Sequence, residues 1–301
     1  MELRQSPEWG KYLESLGWAT ETIEGCAVRI RRMGPVGSII KIQRPQSLPL
    51  EKIDEVAQRN RALFVKIEPI SSSQLPDLNA QLYKPDSWPL TPSRTVMLDL
   101  KKTSSEILKS FSKDTRQAIK KALGENISPI VYSSSSQQFS HALEIFYDLL
   151  KQTGKERGFW LPPFKELRTK AQSFGNHCFL ILTFKTDEKM TAQTPLLPLS
   201  GILVLVHDQT AYYHHAASTK LGQLLKAPYL ALWEAIKTAA SAGCERLDLE
   251  GIFDPRFPSM FKKWINFSTF KLKWGGEVVE FPPPLTKVYH PLVKLLFSLA
   301  K

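Results

Sequence analysis

Residues 212–254 read YYHHAASTKLGQLLKAPYLALWEAIKTAASAGCERLDLEGIFD, and the fold is decided by how this stretch is organised. It predicts a strand, a loop, a helix and a second strand in that order. From Tyr229 the apolar positions Tyr229, Leu232, Trp233, Ile236, Ala239 and Ala240 recur at helical spacing. Gly243 supplies the C-terminal stop, and Glu245–Glu250 alternates charge with Leu247 and Leu249 as a half-buried strand does. In a β-α-β unit the loop ahead of the helix is a place to bind phosphate or carboxylate, because the N–H groups of a helix N-terminus face outward.

Acetyltransferases of the GNAT type use such a unit for coenzyme A, through a loop of the form Q/R-x-x-G-x-G/A whose N–H groups cradle the pyrophosphate. Between Lys220 and the helix this chain has one glycine, Gly222, and Pro228 removes a donor where donors are needed. The architecture is thus acyltransferase-like while the cofactor loop is degraded. That combination points to an acyl donor other than coenzyme A.

With 301 residues the chain is long enough for two domains, each with its own core. A hydrophobic content of 43% and a charged content of 23% are those of a soluble globular protein. The N-terminal MELRQSPEWG lacks the apolar run of a signal peptide, and Pro195–Val206 is too short to span a bilayer, so a cytoplasmic protein is expected. Cys26, Cys178 and Cys244 are far apart and set in apolar segments, and they read as buried thiols. The formal net charge of +11 favours polyanionic partners: nucleic acid, an anionic membrane or a phosphorylated substrate.

Outward from the opening stretch, Ser6–Trp18 predicts a short helix with Trp9, Tyr12, Leu13 and Leu16 on one side. Cys26–Arg32 and Val36–Arg44 predict neighbouring strands about a Met33-Gly34-Pro35 turn, Leu50–Arg61 a helix and Ala62–Glu68 a strand. Pro69–Pro92 is mostly loop and marks a boundary. Arg94–Leu100 predicts the first strand of a second domain, and Thr103 with Glu106 forms a capping-box signature. In the helix that follows, Ile107, Phe111, Ala118 and Ala122 share one face and Lys109, Lys113, Arg116 and Lys120 the opposite one. That basic row is either a solvated face or a track for phosphates. Phe139–Thr153 predicts a helix, and Gly158–Pro163 a loop whose aromatics sit between Lys155, Arg157 and Lys165. His177–Phe184 and Leu199–Val206 predict strands joined by a linker, Lys185–Pro198, and Phe267–Trp274 and Glu277–Phe281 predict the last two. Pro282–Pro284 breaks the sheet, and Val288–Ala300 is an amphipathic tail.

The order SPEWGKYLESLGW, PSRTVMLDL before a helix carrying TRQAIKKA, KERGF, APYLALWEAIKTAASAG-CERLDLEGI and MFKKW resembles the Fem family of non-ribosomal peptidyltransferases. The likeness runs through nearly the whole chain. It implies an α/β (α+β) protein of two GNAT-like acyltransferase domains, mixed sheets flanked by helices, with no helical arm insertion. The first domain would take residues 1–93 plus 282–301, the second 94–281. The implied activity is transfer of an amino acid from aminoacyl-tRNA to the side-chain amine of the peptidoglycan precursor stem peptide, with no cofactor and no metal.

Matched residue by residue, Phe261-Lys262 corresponds to the family's Phe-Lys pair, whose lysine stabilises charge during acyl transfer. Lys11, two residues after Trp9, corresponds to a lysine that holds precursor phosphate, and Tyr213 and Asp248 to residues lining the cleft. Two departures bear on the substrate: His215 stands where a second aromatic is expected, and Pro162-Pro163 replaces the usual arginine, leaving Arg157 as a stand-in. On this resemblance Lys109, Lys113, Arg116 and Lys120 become the tRNA track. The partners are aminoacyl-tRNA and the muramyl pentapeptide, with the inner membrane surface as a further candidate partner of a monomer.

Aminolysis of an aminoacyl ester needs a neutral amine and a cation or N–H donor for the developing oxyanion, and Lys262 can supply the second. His214 and His215, as neighbours on a strand, are expected to point to opposite faces and so not to share a metal. Neither a GxSxG nor a Cys-His pairing is present, which disfavours a covalent acyl-enzyme. Three readings stand together at this stage: the aminoacyl-tRNA-dependent transferase, an acyl-CoA-dependent N-acyltransferase, and a non-catalytic binder of tRNA or an anionic surface.

Overall fold

The computed structural model describes residues 2–186, 197–291 and 293–295. Most of the linker, 187–196, and of the C-terminal tail, 292 and 296–301, lies outside the described residues. The chain divides into two compact units: Met1–Arg94, Gly251–Ile265 and Val279–Lys301 form the first, Thr95–Glu250 and Asn266–Val278 the second.

In chain order the elements begin with α1 (Pro7–Ser15), β1 (Ala19–Ile23), β2 (Cys26–Arg32), β3 (Ser38–Gln43), α2 (Leu50–Arg59), β4 (Ala62–Glu68), α3 (Leu75–Ala80) and β5 (Lys84–Pro85). There follow β6 (Arg94–Asp99), α4 (Ser104–Ser110), α5 (Lys113–Leu123), β7 (Ile127–Ser133), α6 (Phe139–Arg157), α7 (Phe164–Phe174), β8 (Cys178–Lys185), β9 (Leu197–His207) and β10 (Thr210–Ser218). The last are α8 (Lys220–Leu224), α9 (Ala227–Ser241), β11 (Arg246–Gly251), α10 (Pro258–Phe261), α11 (Ile265–Leu272), β12 (Glu277–Glu280) and β13 (Leu285–Val288).

The first unit is built on a six-stranded mixed sheet of order β1-β2-β3-β4-β13-β5, in which only β3 and β4 run parallel. Period-two alternation divides its faces. Ile40, Ile42, Val65 and Ile67 enter a core with Ile53 and Val56 of α2, while Lys41, Gln43, Phe64 and Lys66, one residue out of phase, line an open cleft. Helix α1 begins where Ser6 Oγ accepts the Trp9 N–H at 3.0 Å, with Pro7 at its first position.

The second unit carries a seven-stranded mixed sheet of order β12-β6-β11-β10-β9-β8-β7. Strands β7 to β10 form an antiparallel meander, and β10 pairs parallel with β11 through the β10-α8-α9-β11 unit. Helices α6 and α9 pack on the sheet, α9 against β8 and β9, and α5 against α9. Gly201 of β9 is required by close packing, because a Cβ there would stand 2.7 Å from the Phe146 ring of α6. Gly243, at φ +80°, ends α9 in the left-handed region as its position predicts. Among the described residues no helix is long and apolar enough to cross a membrane.

Several elements differ from the sequence reading. Phe267–Trp274 forms helix α11 and a turn, not a strand. Its aromatic composition suits either, but Phe267, Phe270, Lys271 and Trp274 fall at helical spacing. Trp274, fully buried, meets Phe111 at 4.8 Å, Phe270 at 5.8 Å and Tyr229 at 6.0 Å between ring centroids. The single basic helix is two helices. Phe111 is extended, and Ser112 caps α5 by accepting the Thr115 N–H at 3.2 Å while its own N–H goes to the Lys273 carbonyl at 2.9 Å. The Thr103–Glu106 capping box is formed as expected. Strand β11 is buried, with Leu247 and Leu249 fully covered and Asp248 2% exposed, because β6 and β10 flank it on either side. Strands β1, β7 and β13 and helix α7 had no counterpart in the sequence reading. After Pro282–Pro284 the chain makes β13, which pairs with β4 and β5.

Trp274→Ala is expected to cost roughly 3–5 kcal/mol, as for large aromatics cut from a close-packed core, and Trp274→Phe under about 1.5 kcal/mol. Urea unfolding followed by circular dichroism measures both. Equal midpoints for Trp274→Ala and the parent chain would show that this cluster does not hold α11 in place.

Candidate active site and ligand cleft

The parallel ladder of β10 and β11 runs from Thr210 to Tyr212 against Arg246 to Asp248. Beyond those pairs both strands continue, and polar side chains gather where they part. On β10, Tyr213 pairs with Val204 and His215 with Leu203, so His214 is the extra residue of a β-bulge. The bulge cancels the strict alternation of side chains, and the His214 and His215 rings stand edge to face, 4.4 Å apart. The expectation that the two histidines diverge is therefore corrected. Burial, with the neighbouring His214 second, drives the His215 pKa well below its usual value, so this imidazole is neutral.

His214 Nε2 lies 3.0 Å from the Lys170 Nζ of α7, and its Nδ1 lies 3.4 Å from Glu250 Oε2. Asp248 accepts hydrogen bonds from Thr95 Oγ1 and, at 2.6 Å, from the Glu250 N–H. Lys271 of α11 is buried with its ammonium over the Tyr213 ring at 5.4 Å and the Phe267 ring at 5.0 Å. Burial lowers its pKa to about 8, against the opposing pull of Glu250 and Asp248. Burial also raises the Tyr213 phenol, which Arg157 partly offsets.

The segment ahead of α9 is a short helix instead of an open loop. The Gly222 N–H donates to Thr219 Oγ1 at 2.9 Å, Gln223 to the Thr219 carbonyl, Leu225 to Leu221 and Lys226 to Gln223. These N–H groups are already bonded within the segment, so they are not presented to a pyrophosphate. Gly222 is needed here for packing: a Cβ would sit 2.2 Å from the Leu199 carbonyl oxygen.

The first unit has its own cleft of about 1460 Å³, lined by Trp9, Trp18, Trp88 and Phe64 together with Lys41, Lys84 and Lys294. Its wall at residues 84–92 is fixed from below. Glu68 accepts the Leu90 and Thr91 N–H groups at 2.7 and 2.8 Å, and Asp86 binds Lys66 and Thr286 at 2.7 Å each. Burial works against the Asp86 carboxylate, but the hydrogen bonds from Lys66 and Thr286 prevail and hold its pKa below the usual range. Lys41 stands 4.3 Å from the Trp18 ring centroid, and burial lowers its pKa to about 8. A cation and aromatic faces in one cleft suit a ligand that is both ringed and anionic.

Of the residues singled out from sequence, Tyr213, His215 and Asp248 come together in the second unit, and Arg157, exposed at the end of α6, acts on Tyr213 electrostatically. Trp9 lines the cleft of the first unit, whereas Lys11 is exposed on α1 and is not part of the cleft wall. Phe261 is buried between Phe257 and Trp264, and Lys262 is exposed on the single helical turn that follows, as is Lys263. Lys109 lies on α4 and Lys113, Arg116 and Lys120 on α5. Arg116 Nη1 is turned back to the Phe111 and Lys109 carbonyls, where it closes the end of α4. Sequence reasoning missed Glu250, Lys170 and Lys271. Lys271 carried a signal, a cation at an otherwise apolar, inward position, but Glu250, in the charged phase of β11, and Lys170, on the unforeseen α7, had none. Among the described residues no group of three or more His, Cys, Asp or Glu could hold a metal ion.

The architecture is that of two GNAT-like folds in tandem. A solved structure of FemX matches it with a TM-score of 0.82 at 16% identity, over 98% of this chain and 94% of that one. L-PGS from Bacillus licheniformis matches at 0.61 and 12% identity, over 100% and 97%, and a tandem GNAT protein from the clavulanic acid biosynthesis pathway at 0.52 and 11%, over 91% and 84%. At these identities the likeness is one of fold. Residues 181–301 match the FemAB family. No curated protein matches it in sequence.

Lys271 gives a pH-dependent stability of definite sign. Below pH 8 both the folded and unfolded chains hold its proton. Between about 8 and 10.5 the unfolded chain holds a proton that the folded one has released, so stability rises with pH. Lys271→Met is expected to reduce the gain between pH 8 and 10 by roughly 2 kcal/mol in urea titrations. An identical gain in both proteins would show that this ammonium is not desolvated.

Proposed function

We propose that the protein is an aminoacyltransferase that moves an amino acid from aminoacyl-tRNA to the side-chain amine of a peptidoglycan precursor stem peptide. The observation that carries this reading is the segment 219–226, in which the Gly222, Gln223, Leu225 and Lys226 N–H groups are bonded internally on an otherwise acyltransferase-like β-α-β unit. An acyl-CoA enzyme needs those groups for the pyrophosphate, and an aminoacyl ester of tRNA does not. The match of residues 181–301 to the FemAB family supports the same choice.

In this reading the cleft of the first unit receives the phosphorylated muramyl acceptor, its sugar and base against Trp9, Trp18 and Trp88 and its phosphates near Lys41, Lys84 and Lys294. Lys11, outside the cleft wall, would reach the acceptor only at its outer edge. Lys262 supplies the charge that stabilises the oxyanion formed when the amine attacks the ester, a contact typically worth about 3 kcal/mol in the barrier. Phe261, buried against Trp264, fixes the turn that carries it. Lys113 and Lys120 of α5, with Lys109 of α4, remain the track for tRNA phosphates, and Arg116 contributes less because its guanidinium caps α4.

Lys262→Met is expected to lower the single-turnover rate of transfer about a hundredfold or more with little change in substrate affinity, and Lys263→Met severalfold at most. The measurement follows labelled amino acid from tRNA to a muramyl pentapeptide with a free side-chain amine. Near-parental rates for both variants would remove Lys262 from the chemistry, and consumption of acetyl-CoA in place of aminoacyl-tRNA would replace the donor.

In the cleft, Trp18→Ala is expected to weaken a nucleotide-linked muramyl peptide by roughly 1–3 kcal/mol, the range for one lost stacking face, as read by calorimetry. Unchanged affinity would place the acceptor elsewhere.

A further inference from the structure

Two backbone irregularities meet where β10 and β11 part. On β10 the bulge at His214 turns an imidazole out of alternation. On β11, Glu250 adopts φ +55°, the left-handed region that a non-glycine side chain occupies only under constraint. Its own N–H bonded to Asp248 at 2.6 Å and its carbonyl bonded by Thr95 Oγ1 at 3.0 Å impose that constraint. Both departures serve one outcome, which is to bring the Glu250 carboxylate and the His214 ring face to face at 3.4 Å. A regular strand at either position would send one of the two side chains away.

The protonation pattern follows from the partners. The Lys170 ammonium, 3.0 Å from His214 Nε2, can only donate, so Nε2 is the acceptor and the ring proton resides on Nδ1, toward Glu250. Glu250 is thereby oriented from one side, and its side chain is 12% exposed. The charged and titratable groups of this cluster come from several elements: Tyr213, His214 and His215 of β10, Asp248 of β11, Lys170 of α7 and Lys271 of α11, with Cys178 of β8 acting on Lys170 and Arg157 at the end of α6 acting on Tyr213. The Lys271 ammonium and the Glu250 carboxylate attract one another.

We propose that Glu250 is the proton acceptor for the attacking amine, with His214 and Lys170 as the residues that position it; this rests on the transferase reading above. The neutral amine nitrogen attacks the ester carbonyl carbon, the C–N bond forms, and the nitrogen's proton passes to Glu250. As the carbonyl re-forms, the bond to the ribose oxygen breaks and that oxygen takes the proton back from Glu250. The products are an amide and a free ribose hydroxyl, and the carboxylate is regenerated.

The test compares Glu250→Gln, isosteric and unable to accept the proton, with the parent chain in single-turnover transfer across pH, using aminoacyl-tRNA and acetyl-CoA as alternative donors to a muramyl pentapeptide. The expected result is a loss of about a hundredfold or more at saturating substrate, a KM within a few fold, and disappearance of the acidic limb of the rate profile. A Glu250→Gln rate within threefold, with the parent's pH profile, overturns the proposal and leaves Glu250 a structural ion-pair partner. If the parent uses only acetyl-CoA, the aminoacyl-tRNA reading falls while the same comparison in that reaction still decides Glu250. If it uses neither donor, both fall. Nitrogen chemical shifts of labelled histidine give a readout independent of turnover. His214 is expected as the Nδ1–H tautomer, converting to a mixture in Lys170→Met; a parent ring protonated on Nε2 also overturns the proposal.

Discussion

Parallel pairing between β10 and β11 ends at Tyr212 and Asp248, although neither strand ends there, and the second unit's polar chemistry depends on that early parting. Where the sheet stays paired its interior is mostly apolar, as on β8 and β9 with Leu180, Leu182, Leu203 and Leu205, the buried Thr183 and Ser200 bonding to each other. Where the ladder opens, side chains join the backbone's hydrogen bonding: Asp248 accepts the Glu250 N–H, and Thr95 Oγ1 donates to the Glu250 carbonyl. Once these polar groups are inside, they require charges of opposite sign, which explains two lysines, Lys170 and Lys271, each at most 7% exposed.

The first unit meets a different demand with a related device. Its cleft needs a rigid wall in residues 84–92, a stretch with little regular structure. Rigidity there comes from two buried carboxylates, Glu68 and Asp86, that take up the wall's N–H groups and the Lys66 ammonium. The cations facing the cleft are then those that the wall does not use. A loop of this kind holds its shape without a ligand, so binding need not order it first.

How much of this was legible in the sequence depends on the distance over which each signal acts. The β-α-β stretch, the capping box at Thr103 and the strands Cys26–Arg32 and Ala62–Glu68 are written in local periodicity and were readable within a residue or two. Phe267–Trp274 was misread because large aromatics favour strands on average, and only its contacts with Phe111 and Tyr229, far away in sequence, select the helix. The bulge at His214 is invisible for the same reason, since it is defined by which residues of β9 lie opposite. Tyr213, His215 and Asp248 could be picked out through the family pattern. Glu250 and Lys170 could not, because their roles arise from a left-handed backbone and from an unforeseen helix.

Strand β13 has a consequence for how the molecule is made. It lies between β4 and β5 in the first sheet, although the whole second unit is encoded between it and them. During synthesis the exposed edge of β4 must wait, unpaired, until Leu285–Val288 leaves the ribosome. The second unit, whose own strands are nearly contiguous in sequence, can fold in that interval. The N-terminal part of the chain is thus the last to be finished. Pairing over so long a separation is slow, and an open edge invites the wrong partner. Lys41 on β3 and Lys66 on β4 itself, which border the cleft in the finished protein, place charge beside the waiting edge, the kind of feature that discourages wrong pairing.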